Sequence, residues 1–139
     1  MRTQLHITLA FALALVAVVA ATGTAAASPQ GSHSDIGRIL FRLKANAVIC
    51  AMSRDSKALV CFLPTNGATA RLPRKGVATA KKVAANRGVP PKATAAPILR
   101  KGHTYRRSIY RCAAKKNDVR CTNAANHGFQ IGKDAVYRF

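Results

Sequence analysis

The sequence predicts a small all-β domain of disulfide-stapled hairpins, carried behind a signal peptide and interrupted by a disordered basic insert. Three observations predict it. Cys50 and Cys61 bracket one short apolar hairpin, Cys112 and Cys121 bracket another, and turn residues punctuate every apolar run between them.

In chain order, the first six residues carry one Arg, residues 7–21 are uncharged and almost wholly apolar, and Ala25 and Ala27 fit an A-x-A cleavage site. That run is too short to span a bilayer comfortably and lacks a cationic stop-transfer flank. Residues 1–27 are therefore expected to be a cleaved signal peptide rather than an anchor, which sends the chain to a secreted or cell-envelope location. The remaining 112 residues hold 22 Lys and Arg against four Asp and no Glu, a net charge of +18. They form one domain at most. Residues 28–34 are a polar lead-in.

The first β half is expected over residues 36–63. Residues 38–44 alternate, with Ile39, Phe41 and Leu43 on one side and Arg38, Arg42 and Lys44 on the other, as a half-buried strand requires; a helix is the competing reading. Residues 47–52 and 58–63 are apolar runs around Ser53-Arg54-Asp55-Ser56-Lys57, a turn sequence, and Pro64 ends the second run because it has no N–H to donate. The second half, residues 98–139, repeats the plan. Residues 108–112 and 119–121 flank a turn at Lys116-Asn117-Asp118, and the repetition reflects either duplication or two solutions to one problem. A third hairpin follows, with Phe129 and Ile131 on one side, a turn at Gly132-Lys133-Asp134, and Ala135, Tyr137 and Phe139 sharing a face. Aromatic residues so close to the final position predict a last strand packed into the core.

Between the halves, residues 64–97 contain five prolines, no aromatic residue and no acid. Such a tract is expected to stay a mobile linker, because it offers too little apolar surface to offset its ordering entropy.

Core formers are few for so short a chain, so covalent closure is expected. Four cysteines allow three pairings, and spacing favours Cys50–Cys61 with Cys112–Cys121. Each closes a loop of roughly ten residues, worth roughly 2.5–3 kcal/mol in the chain-entropy picture. A zinc site competes, but no C-x2-C pair or close His pair is present, so no metal and no cofactor are expected.

The segment Cys121-Thr122-Asn123 … His127-Gly128-Phe129 … Tyr137-Arg138-Phe139, preceded by Val119, resembles the C-terminal signature of a family of small exported bacterial proteins known as a domain of unknown function. Residues 46–53 are similar to that family's N-terminal Asn-Ile-x-Cys block, one residue longer before the Cys. The chain departs from the family in lacking its extra cysteines and its central Trp. The resemblance implies an exported β-rich disulfide domain and carries over no activity.

Catalysis finds little support. The four acids, Asp35, Asp55, Asp118 and Asp134, offer paired carboxylates only from turn positions, and no nucleophile context surrounds His127. We expect a non-catalytic protein, with His127 shaping a turn or serving as a ligand contact. Charge is the stronger signal. Arg71, Arg74, Lys75, Lys81, Lys82 and Arg87 lie in the acid-free tract, and Arg106, Arg107 and Arg111 extend it beside Tyr105 and Tyr110. These nine are the expected anion-binding residues, and the partners they imply are an anionic cell-wall polymer, anionic lipid or nucleic acid. A monomer is expected. Competing readings are an inhibitor that inserts a rigid hairpin loop (Arg54-Asp55-Ser56 or Lys116-Asn117-Asp118) into an enzyme, and a cationic membrane-active protein.

Overall fold

A computed structural model describes residues 36–82, 89–133 and 135–139. The expected signal peptide, the lead-in, Asp35, Arg87 and Asp134 lie outside them. Two five-stranded antiparallel sheets, each a meander in chain order, make up the fold. The first holds β1 (Ile36–Arg42), β2 (Ile49–Ser53), β3 (Ala58–Phe62), β4 (Ala68–Pro73) and β5 (Thr79–Lys82). The second holds β6 (Thr104–Arg107), β7 (Tyr110–Ala114), β8 (Asp118–Thr122), β9 (Gly128–Gly132) and β10 (Val136–Arg138). The predicted all-β class stands.

The sheets pack face to face on one core. Phe41, Leu43, Val48, Leu59, Leu63 and Leu72 come from the first sheet, and Tyr110, Val119, Phe129 and Ile131 from the second. The disulfides pair as spacing favours, Cys50–Cys61 and Cys112–Cys121, both with Cα atoms 4.1 Å apart across adjacent strands. They nest together in the middle of the core, with the Sγ atoms of Cys50, Cys61 and Cys121 within 4.8 Å of one another. Two buried disulfides point to an oxidising, extracytoplasmic environment.

The halves share more than a cysteine pattern. In each, the second and third strands carry the disulfide, and the first strand sets an aromatic residue opposite the leading Cys: Phe41 opposite Cys50, Tyr105 opposite Cys112. Those two rings then meet across the core with centroids 4.9 Å apart.

β1 departs from simple alternation. Register shifts between Ile36 and Ile39 and between Ile39 and Phe41 bulge the strand, so Ile39 turns to the outer face while Leu40 and Phe41 enter the core.

The largest correction concerns residues 64–97. Instead of a mobile linker, the described residues 64–82 supply β4 and β5, and Ala70, Leu72 and Ala78 are buried, while residues 83–88 of that expectation lie outside the described residues. β3 is apolar on both faces and would otherwise present an unpaired edge, a template for another strand. β4 pairs with it over five positions, from Ala58 with Pro73 to Phe62 with Thr69. The alternation that carries β4, with Ala70 and Leu72 inward and Arg71 outward, lies in plain view inside the basic tract. Few apolar residues suffice when the backbone is satisfied by a neighbour.

Residues 89–97 cover part of the first sheet. A 3-10 turn at Pro91–Ala93 buries Ala93 against Ile49 and Phe62 on the outer face. Farther on, the Arg42 N–H donates to the Pro97 carbonyl and the Leu99 N–H donates to the Arg42 carbonyl, which fastens the chain along the edge of β1.

Candidate functional site

The outer faces of the two sheets differ in kind. On the first sheet that face is partly closed over by residues 89–99, as described. On the second it is open, and strand register fixes what it displays. One row across the sheet reads Thr104, Ala113, Arg120, Gln130, Tyr137; the next reads Arg106, Arg111, Thr122, Gly128, Phe139. Arg106, Arg111 and Arg120 are exposed, Tyr137 is 66% exposed and Phe139 40%. Neither row contains an acid. Asp118 sits at the margin of the face, where its carboxylate accepts from the Gln130 side-chain amide.

Within this face three residues form a layered device. A Cβ placed on Gly128 would come within 2.8 Å of the Phe139 ring and 2.2 Å of the Cys121 carbonyl oxygen, so only glycine leaves room there. The backbones of Gly128 and Phe139 exchange N–H···O bonds in both directions, at 2.8 and 3.0 Å, which fixes the ring over the bare glycine. The Arg120 guanidinium lies 3.8 Å above the ring centroid in a cation–π stack. The motif residues Gly128 and Phe139, eleven positions apart in sequence, thus meet for a physical reason. The expectation of a core-packed terminus is corrected accordingly. Tyr137 and Phe139 share a face as expected, but it is the solvent face.

The expected anion-binding residues do not converge on one surface. Arg106 and Arg111 stand side by side on the open face, in register on β6 and β7, and Arg107 follows at the end of β6, where it pairs with the buried Tyr110. Arg71 and Lys81 point outward from the other sheet, Arg74 and Lys75 sit in the β4–β5 turn, and Lys82 lies on the β5 edge. Arg120, Tyr137 and Phe139 were missed as members of the site. The signal that finds them is the shared spacing of period two on β8 and β10, read together with the Gly128 that admits the ring.

Elsewhere the polar groups hold the fold. Asn123 is buried, and its side-chain amide donates to the carbonyls of Pro73 and Gly76 at 3.2 and 3.0 Å, tying the β8–β9 loop to the β4–β5 turn. Its Oδ1 accepts from the N–H groups of Ala125 and His127. The turn around His127 is therefore shaped by Asn123 rather than by the imidazole, which is half-buried. The Tyr110 hydroxyl donates to the Lys57 carbonyl, joining the second sheet to the β2–β3 hairpin, and burial pushes its pKa up. In that hairpin Asp55 accepts from the Ser53 hydroxyl and the Lys57 N–H, which hold its carboxyl below the usual range, with Arg71 Nη2 3.8 Å away. Both members of that ion pair are well exposed, so it contributes little to stability.

A shallow cleft of about 350 Å³ lies between the β7–β8 and β9–β10 turns, lined by Lys116, Asp118, Gln130, Lys133 and Tyr137 among others. It adjoins the open face. Among the described residues no helix is long and apolar enough to cross a membrane.

No protein-family model matches this chain, and neither a curated protein nor a solved structure matches it. What the geometry defines is a two-sheet, disulfide-bonded β sandwich with one face covered and one face left cationic and aromatic.

Proposed function

We propose that this protein is an exported, non-catalytic binding protein that attaches electrostatically to anionic polymers or surfaces, as a secreted or envelope-associated module. The single observation that carries the proposal is the open face of the second sheet, where Arg106, Arg111 and Arg120 stand exposed in two rows without an acid. Arginine forks suit phosphate oxygens, and neutralising several phosphates releases counterions, so binding is strong at low salt and weak at high salt. Membership of the exported bacterial family resembled by the Cys121–Asn123, His127–Phe129 and Tyr137–Phe139 motifs belongs to the same proposal.

Titration against duplex DNA and against an anionic vesicle, each at two salt concentrations, tests it. Three phosphate contacts predict a loss of about 40-fold in DNA affinity between 50 and 200 mM salt. Absence of binding to either partner at the lower salt ends the proposal, and dye release from the vesicles would replace it with a membrane-active function.

A second reading, inhibition of a partner enzyme by a rigid loop, is favoured by the β2–β3 hairpin. Its tip, Arg54 to Lys57, is exposed, yet it is held by the Ser53–Asp55–Lys57 bonds and clasped by Cys50–Cys61. Loss of a pulled-down enzyme on Arg54→Ala, with no change in polyanion binding, would establish it over the first.

A further inference from the structure

The open face offers more than charge. We infer that it is a stacking platform for single-stranded nucleic acid, a reading that rests on the anion-binding function proposed above and names its ligand. A purely electrostatic attachment surface has no use for exposed rings, and this one displays two within the arginine rows.

Arg120 is the centre of the inference. Its guanidinium carbon is held over the Phe139 ring, 3.8 Å from the centroid, and the ring is held over Gly128 by paired backbone bonds. A long flexible side chain is thereby fixed before any ligand arrives, which removes most of the ordering cost of binding. A fixed guanidinium plane accepts a base by stacking and still presents N–H edges to a phosphate.

Tyr137 supplies a second plane. It stands two residues from Phe139 on the same side of the chain, a spacing of about 6.8 Å for an extended strand. That is about twice the 3.4 Å rise per nucleotide of a stacked strand, so bases spread along an extended single strand could meet both planes. Arg106 and Arg111, adjacent across β6 and β7, provide a track for the backbone. Gln130 lies between Arg120 and Tyr137 in register, with its amide already engaged by Asp118. A base stacks on such a surface whatever its identity, so the platform is expected to be indifferent to sequence. Duplex DNA hides its bases, and a polyphosphate or an anionic lipid has none; for those the rings contribute nothing.

The experiment uses fluorescence anisotropy with the mature chain and four probes: a fluorescein-labelled oligothymidine of about 15 nucleotides, a duplex of equal length, inorganic polyphosphate as competitor, and vesicles of anionic phospholipid. The single strand is expected to bind most tightly. Tyr137→Ala, on an exposed position that leaves the core intact, is expected to weaken it about 5- to 100-fold while leaving competition by polyphosphate unchanged. Arg111→Gln is expected to weaken single strand and polyphosphate alike. Phe139→Leu, which keeps an apolar side chain at the position but removes the ring beneath Arg120, is expected to resemble Tyr137→Ala. If duplex, polyphosphate or vesicle binds as well as the single strand and Tyr137→Ala changes none of them, the platform is refuted while electrostatic attachment survives. If no probe binds at low salt, both readings fall.

Discussion

The two sheets are built to one plan and finished differently. Each is a five-stranded meander with a disulfide across its second and third strands and an aromatic residue opposite the leading cysteine. In the first sheet, β2 and β3 are buried on both faces, so they read as unbroken apolar runs. In the second, β7 and β8 alternate, with Cys112, Ala114, Val119 and Cys121 inward and Arg111 and Arg120 outward. The difference teaches where stability and function separate. Strands covered on both sides serve as scaffold, and the sheet covered on one side is free to present a surface.

Substitutions that treat equivalent positions alike should therefore break the comparison, and the largest effect belongs to the covered sheet. Phe62→Ala, under the Pro91–Ala93 turn on the outer face of the first sheet, is expected to cost about 3–5 kcal/mol in urea unfolding. Tyr137→Ala, on the outer face of the second, is expected to stay within about 0.5 kcal/mol. Equal costs would show that the outer faces are not distinct.

Removing a disulfide comes next. Replacing either pair by alanine is expected to cost about 2–4 kcal/mol. The loss of Cys112–Cys121 should be the larger of the two, because the second sheet packs on one face only; unfolding midpoints of the two variants measured side by side decide it. Asn123→Ala sharpens the comparison at the seam. It deletes the buried amide that joins the β8–β9 loop to the β4–β5 turn, with an expected cost of about 1–3 kcal/mol. Hydrogen exchange should then accelerate in β4 and β5 and leave β7 and β8 protected.

The smallest effects concern pH. Tyr110 has its pKa raised by burial, so the folded state holds the phenolic proton more tightly than the unfolded chain does. Its contribution is complete below about pH 10 and is lost as pH rises beyond that, an alkaline loss that Tyr110→Phe should abolish. Asp55 works in the opposite sense. Its carboxyl is held low by Ser53 and Lys57, so its small contribution is present at neutral pH and fades as acid protonates it. Thermal melts across both ranges check the two signs.

Much of this architecture was legible in the chain. Cysteine spacing alone indicated both hairpins and both disulfides, because residues facing each other across a short turn have little choice of partner. Residues 64–97 were not legible by composition. The tract is poor in large apolar side chains, yet β4 needs only Ala70 and Leu72 inward because β3 supplies its hydrogen-bond partners. Average composition measures what a segment brings by itself and says nothing of what a neighbour offers. The candidate face was half legible. Arg106 and Arg111 stood out by charge, whereas Arg120 gained its role only through Phe139 and Gly128, residues brought together by the pairing of β9 with β10. The same limit explains the misplaced aromatic end: a ring on a strand can face either way, and only register decides.

Both sulfur–sulfur bonds join neighbours within a hairpin, and neither reaches from one sheet to the other. A protease that cut once among residues 98–103 would therefore yield two fragments sharing no covalent link, each still clasped internally. They would remain associated through the common interior and separate in denaturant, and on dilution the pair could be asked to reassemble by fragment complementation.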